Sequence, residues 1–234
     1  MKNQKIVVLN FSGNVGKTTI CDHVLKANMK NSKVFSVESI NQGSNDSEVE
    51  QVKGKRFGEL IDSLMMIDSA IVDVGASNVE DFLKYMEQYD GSHEDFDLFV
   101  VPVTKEKKAQ QDTINTIKSL NSLGIPKEKI SVVFNKLDSD DSIEGDFISI
   151  LGFHMAEKLF TLNNECVVYL NEVFERLRAI GKTLGEVKSD KTDYKAHLRD
   201  PKIEDKSVAI QMIALQRLAK TADRNLRIVF ENLT

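Results

Sequence analysis

One stretch near the N-terminus constrains this chain more than any other: KIVVLNFSGNVGKTTI, residues 5–20. Ile6 to Leu9 form an apolar run suited to a strand buried on both faces. Gly13 and Gly16 follow, and Lys17, Thr18 and Thr19 open a segment with helical character. A strand that passes through glycines into a helix turns several backbone N–H groups toward one point. The positive end of the helix dipole lies behind that point and a lysine in front of it. This is what a phosphate group requires. Gly13 and Gly16 permit close backbone approach, with Asn14 and Val15 between them; Lys17 can reach terminal phosphates and Thr18 can place its hydroxyl on a magnesium ion. The general pattern G-x-x-x-x-G-K-[ST] has glycine where this chain has Phe11, so the strict motif is missed by one residue. A mere strand–helix connection would not explain why strand, glycines, lysine and helix fall in this order.

The remainder of the chain repeats the strand-then-helix alternation. Apolar runs at 5–11, 33–39, 69–75, 97–103, 130–136 and 158–163 read as strands; 17–30, 55–66, 78–89, 105–123, 166–184 and 203–230 read as helices. Continuous apolar strands separated by helices predict an α/β fold with a parallel sheet. The 234 residues are read as a single domain, with a polar insertion or loop near 185–206 and a C-terminal helix over 203–230. Val208, Met212, Leu215, Ala219, Ala222, Leu226 and Val229 make one apolar stripe on that helix, expected to pack on the sheet. A hydrophobic content of 41% suffices for a core, and a net charge of −5 does not suit a dedicated nucleic-acid coat. Cys21 and Cys166 have no C-x-x-C spacing, which argues against a disulfide framework or a cysteine-built metal site. The N-terminal apolar run is too short for a signal or a membrane span, so a soluble, cytoplasmic protein is expected.

The loop resembles the deviant K-G-G-x-G-K-T-T form of the ParA/MinD family of partition and positioning ATPases. Gly13, Val15, Gly16, Lys17, Thr18 and Thr19 match it, Ser12 stands at the signature lysine and Asn14 at the second glycine. The likeness extends over roughly the first 140 residues. It implies a three-layer P-loop NTPase fold with a mostly parallel twisted sheet flanked by helices. VESINQGSN (37–45) resembles the family's D-x-D-P-Q-G-N, with Glu38 at the first acidic position and Ile40 replacing the second. Glu38 would position the attacking water or tune magnesium. AIVDVGAS (70–77) resembles the D-T-P-P switch segment, and an aspartate after a buried strand needs a partner. Asp73 is therefore the candidate for holding magnesium through water, with Gly75 letting the next loop move. VVFNKLD (132–138) offers two ways of reading a base. In the family an asparagine here, Asn135, contacts adenine; as N-K-x-D, with Asn135, Lys136 and Asp138, the same letters spell the guanine motif of GTPases, in which the aspartate accepts from guanine.

The resemblance implies slow Mg²⁺-dependent hydrolysis of a nucleoside triphosphate, ATP before GTP, by a molecular switch in plasmid stability, partition or conjugation. Lys17, Glu38 and Asp73 would carry catalysis, Thr18 and Asp73 the metal, and Gly13 to Thr19 with Asn135, Lys136 and Asp138 the nucleotide. A partner protein of a partition or conjugation system is implied, as is a nucleotide-dependent homodimer. In the family the signature lysine crosses to the partner copy's nucleotide, and Ser12 is too short and uncharged for that contact. Lys188, Lys191, Lys195 and Arg199 could line a DNA track, but interleaved acidic residues favour a solvated face. The C-terminus lacks a basic amphipathic membrane helix. Other readings are a regulatory GTPase, an ATP-dependent biosynthetic enzyme of the dethiobiotin synthetase kind, and a nucleotide-binding adaptor without turnover.

Overall fold

The computed structural model describes residues 3–29, 31–37, 49–51 and 57–233. Strands β1 (Lys5–Val8), β2 (Lys33–Val37), β3 (Val49–Gln51), β4 (Ala70–Val74), β5 (Leu98–Val103), β6 (Ile130–Leu137) and β7 (Val167–Tyr169) form a sheet in the order β3-β2-β4-β1-β5-β6-β7. Every described strand pair is parallel. The strands are apolar almost throughout because both faces of the sheet are covered.

Alternate residues feed two cores. Val7, Phe35, Val72, Phe99, Val101 and Phe134 point to one side, where they meet α2 (Phe57–Met65), α3 (Val79–Gln88), α4 (Lys107–Ser122) and α5 (Ile148–Glu157). Ile6, Val8, Val34, Ile71, Val100 and Val133 point to the other. There they meet α1, which is helical over Lys17–Thr19, widens to a π-helix over Ile20–Leu25 and closes over Lys26–Asn28. On the same side lie α6 (Val173–Ile180) and α9 (Ser207–Leu233). The result is the expected three-layer α/β sandwich.

Several segments differ from the sequence reading. Residues 158–163 form no strand; Thr161 makes only an isolated bridge to Ser131. The seventh strand is β7, inside the segment read as a helix from 166. The buried Cys166, Val167 and Val168 pair beside β6, and the helix waits until Val173, whose N–H is accepted by Asn171 Oδ1 at 2.9 Å. Strand β3 was not foreseen. The polar stretch 185–206 contains most of α7 (Leu184–Ser189), opened by a Thr183–Glu186 capping box, and all of α8 (Tyr194–Arg199), capped by Asp193. The stripe on α9 is buried at Met212, Leu215, Ala219, Ala222, Leu226 and Val229, but Val208 is 61% exposed and Ala209 takes its place. Among the described residues no helix is long and apolar enough to cross a membrane.

Candidate nucleotide site

The chain runs from β1 to one side of the sheet and later, from β4 to β5, crosses to the other side of β1. Crevices of α/β sheets open beyond the carboxyl ends of the strands at such a reversal, and the loop after β1 lies there. Asn10, fully buried, builds its entrance. Its Nδ2 donates to Pro102 O at 2.8 Å and to Thr113 Oγ1 at 2.7 Å, while its Oδ1 accepts from Ser12 N–H at 2.7 Å. The Phe11 N–H donates to Thr116 Oγ1 at 3.2 Å, and its ring packs on the core shared with α4. Phe11 therefore departs from the general motif without filling the crevice.

Gly16 has φ +84, and a Cβ there would come within 2.1 Å of Asn135 Nδ2. Glycine is required at this position both by the left-handed backbone and by the close approach of Asn135. Next to it Lys17 is only 6% exposed, and its Nζ donates to Ser12 O at 2.6 Å and Asn10 O at 3.1 Å. Burial lowers the Lys17 pKa, opposed first by the negative charge of Asp73 and then by Cys21. Thr18 Oγ1 donates to Asp73 Oδ2 at 2.8 Å, and Asp73, near the end of β4, is 7% exposed. Beneath them the Cys21 thiol is pushed well up by burial and by Asp73. A hydroxyl and a carboxylate converging beside a buried ammonium are hard oxygen donors of the kind magnesium takes, so these residues fit that ion.

From this end a cavity of about 740 Å³ extends along the sheet edge. Asn135 lies beneath the loop, donating from Nδ2 to Val15 O at 2.7 Å and accepting from Lys136 N–H at 2.9 Å. Its amide is thus engaged with backbone on both atoms. Lys136 lines the cavity with φ +61, and its Nζ donates to Asn14 O at 2.8 Å. Asp138 is not among the described residues that line the cavity; its N–H donates to Asp141 Oδ2, which in turn is held by Lys105. Glu38 falls outside the described residues, as do Ile40, Gln42 and Gly43. Gly13, Asn14, Gly16, Lys17, Thr18, Thr19, Asp73, Asn135 and Lys136 are brought together around the cavity; Val15 contributes its carbonyl from behind.

The far wall was not anticipated from the sequence. Tyr169, Leu170 and Asn171, at the end of β7, and Phe174 and Arg178 of α6 line it. Tyr169 and Leu170 are 50% and 60% exposed, large apolar groups facing an opening. The signal available was the short VVYLN run, which was absorbed into a helix. Below this wall the His23 ring of α1 lies 5.1 Å from the Phe174 ring and tilted to it by 36°; burial, then the charge of Arg178, lowers its pKa to about 4. Elsewhere, Lys188 of the basic segment pairs with Asp223, and Lys195 shares a groove with Asp190 and Asp193.

Comparison with known proteins adds three findings. Residues 6–152 match the model of the CobQ/CobB/MinD/ParA nucleotide binding domain. A search of curated proteins by sequence found no match. Similar solved structures include the MinD cell division protein of Aquifex aeolicus (TM-score 0.56, 13% identity, 98% of this chain and 96% of that one) and Cyanothece McdA in complex with ATP (0.51, 12%, 97% and 97%). Another is a Borrelia burgdorferi plasmid partition protein bound to AMPPNP (0.51, 14%, 92% and 98%). At these identities the likeness is one of fold.

Proposed function

The chain belongs to the CobQ/CobB/MinD/ParA nucleotide-binding domain family, a family of P-loop NTPases, and we propose that within it the chain is a ParA/MinD-type ATPase switch, a single 234-residue domain. The observation that carries this reading is the Thr18–Asp73 hydrogen bond beside buried Lys17, lining a cavity of about 740 Å³. Phosphate oxygens would take the N–H groups of the loop from Gly13 to Thr19, and Lys17 would turn its ammonium from the Ser12 carbonyl toward them. Magnesium, held by Thr18 and Asp73, would neutralise charge on the phosphates. Glu38 or a backbone group would orient the attacking water, and the loss of a second acid at Ile40 accords with slow turnover. Gly75, in the segment after Asp73, lines the cavity, so loss of a phosphate there would release that segment.

ATP is proposed over GTP because Asp138 is not among the described residues that line the cavity and because two neighbours of the same fold hold ATP and AMPPNP. The biological setting proposed is cytoplasmic plasmid stability, partition or conjugation, with a partner protein and without the signature-lysine dimer contact that Ser12 cannot make. Calorimetric titration of Mg-ATP and Mg-GTP into the wild type and Lys17→Ala tests the reading. Micromolar ATP binding that the variant loses supports it, tighter GTP binding transfers it to a GTPase, and no binding of either removes it.

A further inference from the structure

Among the described strands β7 lies at the edge of the sheet, where backbone groups normally remain unpaired. Its outer side is met by Asn225, half-buried on α9. Asn225 Oδ1 accepts from Tyr169 N–H at 3.1 Å, and its Nδ2 donates to Val167 O at 2.7 Å. In a parallel ladder one residue of the adjoining strand serves the carbonyl before, and the N–H after, the residue it faces. The Asn225 amide does this around Val168, offering the donor and the acceptor that one residue of a further strand would offer.

The Tyr169 N–H so held belongs to the far wall of the cavity itself. Tyr169 begins that wall, Leu170 and Asn171 continue it, and Leu170 N–H is tied on the inner side to Leu137 O at 2.8 Å. The wall is thus gripped from β6 on one side and from α9 on the other. On the nucleotide reading above, phosphates would occupy the loop end, which would leave this wall to the base and sugar.

We propose that Asn225 is a positioning residue for the nucleotide: without touching it, its amide holds Tyr169 to Asn171 where they meet the base and sugar. This rests on the nucleotide reading above. It also makes α9 part of the binding site's support, so that a change in the seat of α9 alters affinity and nucleotide binding secures α9 in return.

The test measures dissociation constants of Mg-ATP and of Mg-tripolyphosphate, which fills only the phosphate end, for the wild type, Asn225→Leu and Asn225→Asp. Leucine is close in size and a better helix former, so α9 itself is not weakened. ATP affinity should fall about tenfold in Asn225→Leu with tripolyphosphate binding unchanged. Asn225→Asp keeps the acceptor for Tyr169 and loses the donor to Val167, so about a threefold loss restricted to ATP is expected. That variant carries the test if the leucine protein does not fold. Unchanged ATP affinity, or equal weakening of both ligands as a general loss of stability would produce, overturns the proposal. A wild type that binds neither ligand removes the nucleotide reading itself, a result distinct from failure of the variants.

Discussion

The two ends of the cavity are built in opposite ways. At the proposed phosphate end most of the working groups come from consecutive residues: Asn10 through Thr18 make the loop, and Asp73 arrives from another strand. At the proposed base end Asn135 and Lys136 come from β6, Tyr169 to Asn171 from the end of β7, Phe174 and Arg178 from α6, and the brace Asn225 from α9. The phosphate end is held mainly by buried hydrogen bonds to backbone; the base end exposes Tyr169 and Leu170 to the opening. A charged, invariant chemical group can be met by a fixed local motif. A flat base met largely by apolar contact can be held by many side-chain sets, so its wall carries no comparable pattern.

Substitutions that separate the two ends sharpen the contrast. The largest effect is expected of Lys17→Ala, a loss of about a thousandfold in ATP and tripolyphosphate affinity alike by calorimetry, because a buried cation is removed from the phosphates. Selective loss of ATP would break the assignment of the ends. Gly16→Ala should lower unfolding free energy by about 3 kcal/mol in a denaturant titration, since Cβ would strike Asn135 and the left-handed backbone would be strained. Wild-type stability in that variant would mean the two ends are not locked together through Asn135.

His23 probes the base end by pH. Its folded pKa of about 4 lies below the ordinary value of 6.5, so the unfolded chain binds the extra proton between those limits. Stability from keeping it neutral is present above pH 6.5 and is lost as pH falls toward 4, on the order of 2 kcal/mol for this half-buried ring. The difference between wild type and His23→Leu in melts over that range should show this slope; parallel curves would remove the effect. Lys136→Gly relieves φ +61 and should leave stability equal or raise it by about 1 kcal/mol, yet weaken ATP binding about fivefold by freeing Asn14 O. The smallest effect is expected of Asp138→Ala, which should leave the ATP-to-GTP preference within about twofold. A large change in that preference would restore the guanine reading.

Much of the fold was legible because its cause is local: a strand buried on both faces must be mostly apolar, and the runs IVVL, AIV, LFVVPV and VVF are. The run at 158–163 and β7 were exchanged because short apolar segments suit a strand or a buried helix equally, and only pairing beside β6 decides. Phe11 counted against the motif in the sequence, whereas in the fold its ring packs on the core and leaves the loop open. Asn135 and Asp138 stand three apart in one motif, yet Asn135 bonds beneath the loop whereas Asp138, past the end of β6, is not among the described residues lining the cavity.

By itself, then, the sequence determined a parallel α/β sheet with a phosphate loop on its first strand, since apolar periodicity and glycine dihedrals act over a few neighbouring residues. The tertiary structure alone decided that Asn135 locks against Gly16, that Asp138 stays out of the cavity, and that α9 reaches across to hold β7. Those outcomes depend on which distant side chains the packing brings within hydrogen-bonding distance, and that distance is a property of the folded sheet and its two covering layers.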